Sequence, residues 1–404
     1  MFKNKKDILA KVKNHGIWGI FVIVVRKFLF YAKYKSPWAL HPAAYYRLIK
    51  MLFCPHFNKK RILGIWDFKS LPWSVGDPLV FIEKLSTLKI ERNVEEIDIC
   101  IIYDHDDPNG NRKPGGIHKF ESNLTPENAQ DYMLEFLPLF STCPYLGSIF
   151  QFNLRSEFYY FLKNNYQRYN IYPPLGKNLA ETYNFRGGEP HVSEIQEFYN
   201  IHGFIPFLRI GNRDSSWARW FYLNKLPEKT VPVALSIKRT SHATDRNTDP
   251  NAWLSFLDKC KIEFPEVTFV FIGLREEAFN DLRKRTNVII AKDYGTSIIE
   301  DFALIRTSIM YMGAASGVNA IALFSDLPYL IFRSPNVRKY GLTSGKGFSF
   351  STEKQKTFGT EVLVTGDFLF DEFRKLYMNL DRNKWFNITI EGSSEKNGLP
   401  AAKV

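Results

Sequence analysis

The sequence predicts an α/β protein: two Rossmann-like domains facing across a cleft, preceded by a basic amphipathic N-terminal segment. Three observations predict it. Short apolar runs alternate with helical patterns along most of the chain. The second half holds an unbroken strand–helix series. The whole of the net positive charge sits in the first sixty residues.

The elements read as follows. Residues 62–68 (Ile-Leu-Gly-Ile-Trp-Asp-Phe) form a buried strand, and a loop over 69–76 leads into a helix near 77–90. Residues 97–103 are a second strand, ending in the polar loop 104–116. Thr125-Pro126-Glu127 opens a helix, with a cap residue followed by proline at the first helical position. A strand-like run over 145–152 precedes a helix at 154–165. Residues 166–225 are aromatic-rich and less regular, with a helix near 191–202. A linker falls near 225–230. Strands at 231–237, 267–272, 288–291, 308–312 and 329–332 then alternate with helices at 249–262, 276–285, 297–306 and 316–324. That is one complete doubly wound unit. A helix near 367–378 follows. The implied division is a segment 1–60, one Rossmann-like domain over 61–228, a second over 229–365, and a helix and tail over 366–404.

Composition excludes several classes. The chain has 404 residues, 45% hydrophobic and 24% charged, which rules out wholesale disorder. No apolar run reaches the roughly 18–20 residues that cross a bilayer, so a polytopic membrane protein is excluded. Cys54, Cys100, Cys143 and Cys260 are far apart and form no C-x-x-C pair. They read as reduced core residues of a cytosolic protein, not as a zinc site or redox dithiol.

The charge is uneven. Residues 1–61 hold 14 Lys and Arg against one acid, Asp7, leaving 40 bases against 41 acids in the rest. The bases are interleaved with a nine-residue apolar run, Ile17 to Val25, and with Trp38, Tyr45, Tyr46 and Phe53. Such a segment suits a helix in the headgroup layer of an anionic leaflet, where each Lys or Arg contributes about 1 kcal/mol. The alternative is a helix packed on the body with solvated lysines. A near-neutral body offers no basic groove, so nucleic acid is not an expected partner.

Four motifs fall at the carboxyl ends of strands, where ligands of such sheets bind. In Ser74-Val75-Gly76-Asp77-Pro78-Leu79, Gly76 permits close backbone approach and Asp77 caps the helix, where its carboxylate could take a proton from a hydroxyl. An ordinary Asp-Pro helix cap is the competing reading. In Ile237-Lys238-Arg239-Thr240-Ser241-His242, two cations beside hydroxyls suit a diphosphate. An exposed basic turn is the alternative. In Met312-Gly313-Ala314-Ala315-Ser316-Gly317-Val318-Asn319, small residues let backbone amides approach an anion at a helix start. A tight turn without function is the alternative. Gly273, closing the strand at 267–272, is placed with these donor-side residues. Finally, Asp104-His105-Asp106-Asp107 is either a solvated loop or a divalent-cation loop.

Together these motifs resemble GT-B glycosyltransferases, especially the bacterial heptosyltransferase-like group of lipopolysaccharide synthesis. Ser74-Val75-Gly76-Asp77-Pro78-Leu79 looks like the family's Gly-Asp-hydrophobic turn, which implies Asp77 as general base. Lys238-Arg239 resembles the basic pair that ends the first donor-domain strand. Gly313-Ala314-Ala315-Ser316-Gly317 resembles the late small-residue turn. Pro78 departs from the pattern, and the family's Asp-x-Gly-(Gly/Pro)-x-His run is absent. The resemblance therefore implies no particular donor sugar.

The resulting expectation is an inverting, metal-independent glycosyltransferase at the cytoplasmic face of the membrane, without a cofactor. Its donor is a nucleotide-sugar and its acceptor a lipid-linked or growing surface glycan. Asp77 is the catalytic base. Lys238, Arg239, Thr240, His242, Gly273, Gly313, Ala314, Ala315, Ser316, Gly317 and Asn319 line the donor side. Gly76, Asp104 and His105 line the acceptor side. The alternatives are a GT-A-like enzyme using Asp104 and Asp106 with a metal, a non-catalytic scaffold in glycan assembly, and a pyruvyl or other non-glycosyl transferase.

Overall fold

The computed structural model describes residues 59–68, 71, 74–102, 133–173, 189–239 and 244–382. These belong to one compact unit. The N-terminal segment, the helix start at Thr125 and the Asp104–Asp107 loop lie outside the described residues.

Within that unit the strands form two sheets, all of whose pairings are parallel. The first contains β1 (Arg61–Asp67), β2 (Glu96–Ile102), β3 (Leu146–Phe152) and β4 (Tyr169–Tyr172), in the order β3-β2-β1-β4. Ile62, Leu63, Ile65 and Trp66 in β1 and Ile97, Ile99 and Ile101 in β2 are all almost fully buried. A parallel sheet covered on both faces selects such continuous apolar runs over alternation. The one buried acid in β2, Asp98, accepts from Arg61 at 3.0 Å and from the Tyr169 hydroxyl at 2.8 Å. Arg61 sits on the adjacent strand β1 and Tyr169 on β4 beyond it, so the buried charge is paired and hydrogen-bonded.

Helices α1 (Gly76–Glu91), α2 (Arg155–Asn165), α3 (Glu189–His202) and α4 (Asn212–Lys225) accompany this half of the chain. The sequence pattern does not reveal α4. Its buried stripe is narrow, with Ala218, Phe221 and Tyr222 facing inward, and the exposed Trp220 among charged neighbours blurs the apolar period. Nor does it reveal the four-residue β4, too short to show a period.

The second sheet has six strands in the order β10-β9-β8-β5-β6-β7. They are β5 (Val231–Ser236), β6 (Val267–Phe271), β7 (Val288–Ile290), β8 (Met310–Ala314), β9 (Tyr329–Ser334) and β10 (Gln355–Gly359). The sixth, β10, is additional to the expected five; its polar Gln355-Lys356-Thr357 hides the strand, yet Gln355 and Thr357 are buried. The connecting helices are α5 (Pro250–Glu263), α6 (Asn280–Arg283), α7 (Ile298–Thr307), α8 (Ala320–Leu323) and α9 (Pro335–Lys339), followed by α10 (Gly366–Tyr377). Caps make two of the starts legible: Asp249 accepts from the Asn251 amide at 2.9 Å, and Ser297 with Glu300 forms a capping box. Tyr222 of α4 donates to the Leu304 carbonyl of α7.

Two helices are shorter than expected. The helix anticipated over 276–285 is reduced to α6. The Glu277 carboxylate turns back onto the Leu274 amide at 3.0 Å, holding that stretch in a turn. The helix anticipated over 316–324 begins only after an extended Ser316 and a 3-10 turn at Gly317–Asn319. Cys100, Cys143 and Cys260 are buried free thiols. Among the described residues no helix is long and apolar enough to cross a membrane.

Candidate active site

A parallel sheet opens a crevice where successive connections run in opposite directions, at the carboxyl ends of the two strands involved. In the first sheet that point lies between β1 and β4; in the second it lies between β5 and β8. The chain leaving β1 carries Asp77. Those leaving β5 and β8 carry Lys238-Arg239 and Gly313 to Asn319. Three of the four sequence motifs therefore fall at switch points.

The turn after β1 is built around a hydroxyl. Ser74 Oγ accepts from the Asp77 amide at 3.3 Å and donates to the Asp77 carboxylate. Asp77 lies in the first turn of α1 and is half-buried. The strand that leads to this turn, β1, ends in Asp67, whose carboxylate is gripped by both terminal nitrogens of Arg155 at 2.6 and 2.8 Å. Burial opposes the Arg155 charge, but Asp67 outweighs it and holds the guanidinium above its ordinary pKa. No sequence motif points to this pair; its members are 88 residues apart.

The turns from the two sheets meet. A Cβ on Gly76 would stand 3.2 Å from the Gly317 Cα, and one on Gly317 only 2.9 Å from the Gly76 amide nitrogen. Backbone meets backbone here, and a side chain at Gly317 would force the two turns apart. The contact brings Asp77 beside the small-residue turn. Tyr340, just beyond α9, also senses this site: burial, then the Asp77 charge, push its phenol upward.

On the donor side the two cations have different situations. Lys238 Nζ bonds Glu277 at 3.1 Å, so much of its charge is balanced within the protein. The fold-back of Glu277 passes over Gly273, where a Cβ would stand 3.0 Å from Glu277 Oε2. Arg239 is exposed, with its guanidinium 5.3 Å from the Phe279 ring centre. Thr240 and His242 lie outside the described residues.

At the end of β8, Ala314 and Ala315 are buried, while Ser316, Gly317 and Asn319 are partly exposed. A Cβ on Gly313 would stand 2.8 Å from the Tyr311 hydroxyl and closer still to the Ser236 carbonyl, so the strand ends β5 and β8 touch through this glycine. The Tyr311 hydroxyl and Ser316 Oγ are buried and have no well-formed hydrogen bond among the described residues. Burial pushes the Tyr311 phenol to about 12, against a smaller opposing pull from the nearby Ser236 and Ser316. Unsatisfied buried hydroxyls are uncommon and mark a place where a polar group is owed a partner.

The acceptor-side candidates Asp104 and His105, with Asp106, lie outside the described residues. The residues that sequence reasoning does not find are Asp67, Arg155, Glu277 and Tyr311. Of these only Asp67, at a strand's end, carries any local signal.

No protein-family model matches this chain, and no curated protein is significantly similar to it. Solved structures are. The glycosyl transferase family 9 structure from Veillonella parvula is 9% identical with a TM-score of 0.50, covering 80% of this chain and 99% of its own. The ADP-heptose lps heptosyltransferase II of E. coli is 12% identical with a TM-score of 0.49, covering 79% of this chain and 98% of its own. The fold is thus the two-sheet α/β arrangement of GT-B glycosyltransferases.

Proposed function

We propose that the protein is a glycosyltransferase that moves a sugar from a nucleotide-activated donor to a hydroxyl of a surface glycan. The observation that carries this is the backbone contact of Gly76 with Gly317. It joins a carboxylate at one sheet's switch point to a small-residue turn at the other's. A proton acceptor and an anion-binding turn in contact are what a sugar transfer from a diphosphate requires. The fold of the Veillonella parvula structure supports the same reading.

In this mechanism Asp77 accepts the proton of the acceptor hydroxyl as its oxygen attacks the anomeric carbon. The bond from that carbon to the diphosphate oxygen breaks, and the diphosphate leaves with the electron pair. A single displacement inverts the anomeric centre. Arg239 and the turn at Ser316-Gly317 stabilise the departing charge, and fixed charge there is the largest expected contribution. Lys238, held by Glu277, shapes the end of β5 and supplies less net charge. The basic segment 1–60 would keep the enzyme at an anionic membrane surface, near a lipid-linked acceptor. On this reading the donor is a substrate, not a cofactor, and the reaction is independent of metal.

The test is a thermal-shift panel with UDP, GDP, ADP and CMP, with and without EDTA. One nucleotide should raise the Tm, equally in EDTA. No shift with any of the four would contradict the reading, and a shift abolished by EDTA would favour a metal-bridged donor at the Asp104–Asp106 loop.

A further inference from the structure

A shallow groove, largely open to solvent and of about 670 Å³, runs between the edge strand β3 and the helix α2. Its lining is aromatic and amide-rich: Gln151, Phe152, Tyr160, Phe161 and Asn164, with Ser156 at one end. No Lys or Arg lines it. Arg155, the first residue of α2, is committed to Asp67. The groove's one acid, Glu157, is engaged in accepting from the Leu154 amide at 3.1 Å.

The floor is rigid. Phe161 packs on Phe150 with ring centres 4.8 Å apart and on Phe152 at 5.3 Å. Above it Tyr160 stands 69% exposed, leaving its ring available for contact. Asn164 is likewise exposed on the next turn of α2.

We infer that this groove is a carbohydrate-binding subsite, suited to a neutral oligosaccharide. A sugar ring offers C–H bonds on one face and hydroxyls around its rim. A tyrosine ring presents a weakly negative apolar face to the first, and side-chain amides present both donors and acceptors to the second. An anionic ligand would find no cation here. A protein partner would need roughly 1,000 Å² of complementary surface, which Tyr160 and Leu154 alone do not begin to supply.

The location gives the site a purpose. Asp67 and Arg155 tie the start of α2 to the end of β1, the strand that leads to Asp77. Two strand spacings, roughly 10 Å, separate β1 from the edge strand β3. A glycan reaching across the carboxyl end of the sheet could lie in both places at once. That the bound glycan is the acceptor rests on the transferase reading above; that the groove binds sugar does not.

The experiment uses the full chain on a printed array of bacterial surface oligosaccharides. The strongest ligand is then titrated calorimetrically against the parent, Tyr160→Ala, Tyr160→Phe and Asn164→Ala, with the nucleotide thermal shift recorded for each. Removal of the ring should weaken glycan binding about tenfold, and Tyr160→Phe should bind close to the parent. All four proteins should give the same nucleotide shift, since these side chains are exposed. Absence of any bound glycan would overturn the proposal, as would equal affinity in the parent, Tyr160→Ala and Asn164→Ala. Glycan binding that depends on Tyr160 in a protein giving no nucleotide shift would support the groove and defeat the transferase reading.

Discussion

The two switch points share a backbone plan and differ in how charge is left over. At the first, Asp67 is cancelled by Arg155, and the carboxylate presented at the turn is Asp77, oriented by Ser74. At the second, Lys238 is tied to Glu277, while Arg239 makes no ion pair among the described residues. Each end thus buries one balanced pair and presents one further charge of opposite sign from the other end. The balanced pairs hold strand ends in place, and the turns beyond them carry Asp77 and Arg239. The two members of the Lys238-Arg239 dipeptide therefore differ: Lys238 is held by Glu277, and Arg239 is the cation that the proposed mechanism uses.

That contrast can be broken at several points. The largest effect is expected for Asp77→Asn, which should lower turnover about 10²–10⁴-fold by removing the proton acceptor. Asp77 stands in the first turn of α1, not at the cap expected for it, and asparagine there is nearly the same size, so the nucleotide-induced thermal shift should persist. Turnover within a few-fold of the parent would remove Asp77 from this role. Gly317→Ala comes next. The added Cβ would meet the Gly76 amide nitrogen at 2.9 Å and push the turns apart. A displacement near 1 Å between reacting groups lowers turnover about a hundredfold, and nucleotide affinity should fall far less.

The third prediction separates the two cations. Arg239→Ala should reduce kcat/KM for the donor by about 10–100-fold and leave Tm nearly unchanged. Lys238→Ala should do the reverse: it strands Glu277 and should cost about 2 kcal/mol of stability, less than for a fully buried pair because Lys238 is partly exposed. Equal effects of both substitutions on kcat/KM and Tm would erase the distinction.

The smallest effect concerns Glu83 on α1. Both its carboxylate oxygens are buried without a hydrogen-bond partner among the described residues, and burial raises its pKa well above the usual carboxyl range. The folded state therefore holds its proton where the unfolded chain releases it. Stability is unaffected below the unfolded pKa and declines as pH rises from there towards the folded value. Glu83→Gln should accordingly raise Tm at pH 8 and change it little at pH 4, measured by calorimetry. An equal change at both pH values would contradict this titration.

Much of this is legible in the chain, for identifiable reasons. Fully buried parallel strands leave continuous apolar runs, so β1, β2, β5 and β6 can be read directly. Asp249-Pro250 and Ser297 with Glu300 announce helix starts through their caps. The turns carrying Asp77 and Gly313 to Gly317 stand out because small residues interrupt apolar runs at strand ends. The rest depends on distance. Asp67 meets Arg155 across 88 residues, and Lys238 meets Glu277 across 39, so no local pattern marks either pair. β10 escapes because its buried residues are polar, with Gln355 donating to the Ser325 and Leu327 carbonyls. The turn that delays the helix expected over 316–324 meets Gly76 at the start of α1 through Gly317, a neighbour that no reading of 316–324 alone can supply.

The most direct test of the whole account is hydrogen exchange across the two turns, with and without the nucleotide that shifts the Tm. Residues 74–79 and 313–320 should gain protection together, because one ligand lies where the sheets' switch points meet. Protection confined to one turn, or found at neither while another surface is shielded, would show that the two ends do not form a shared site.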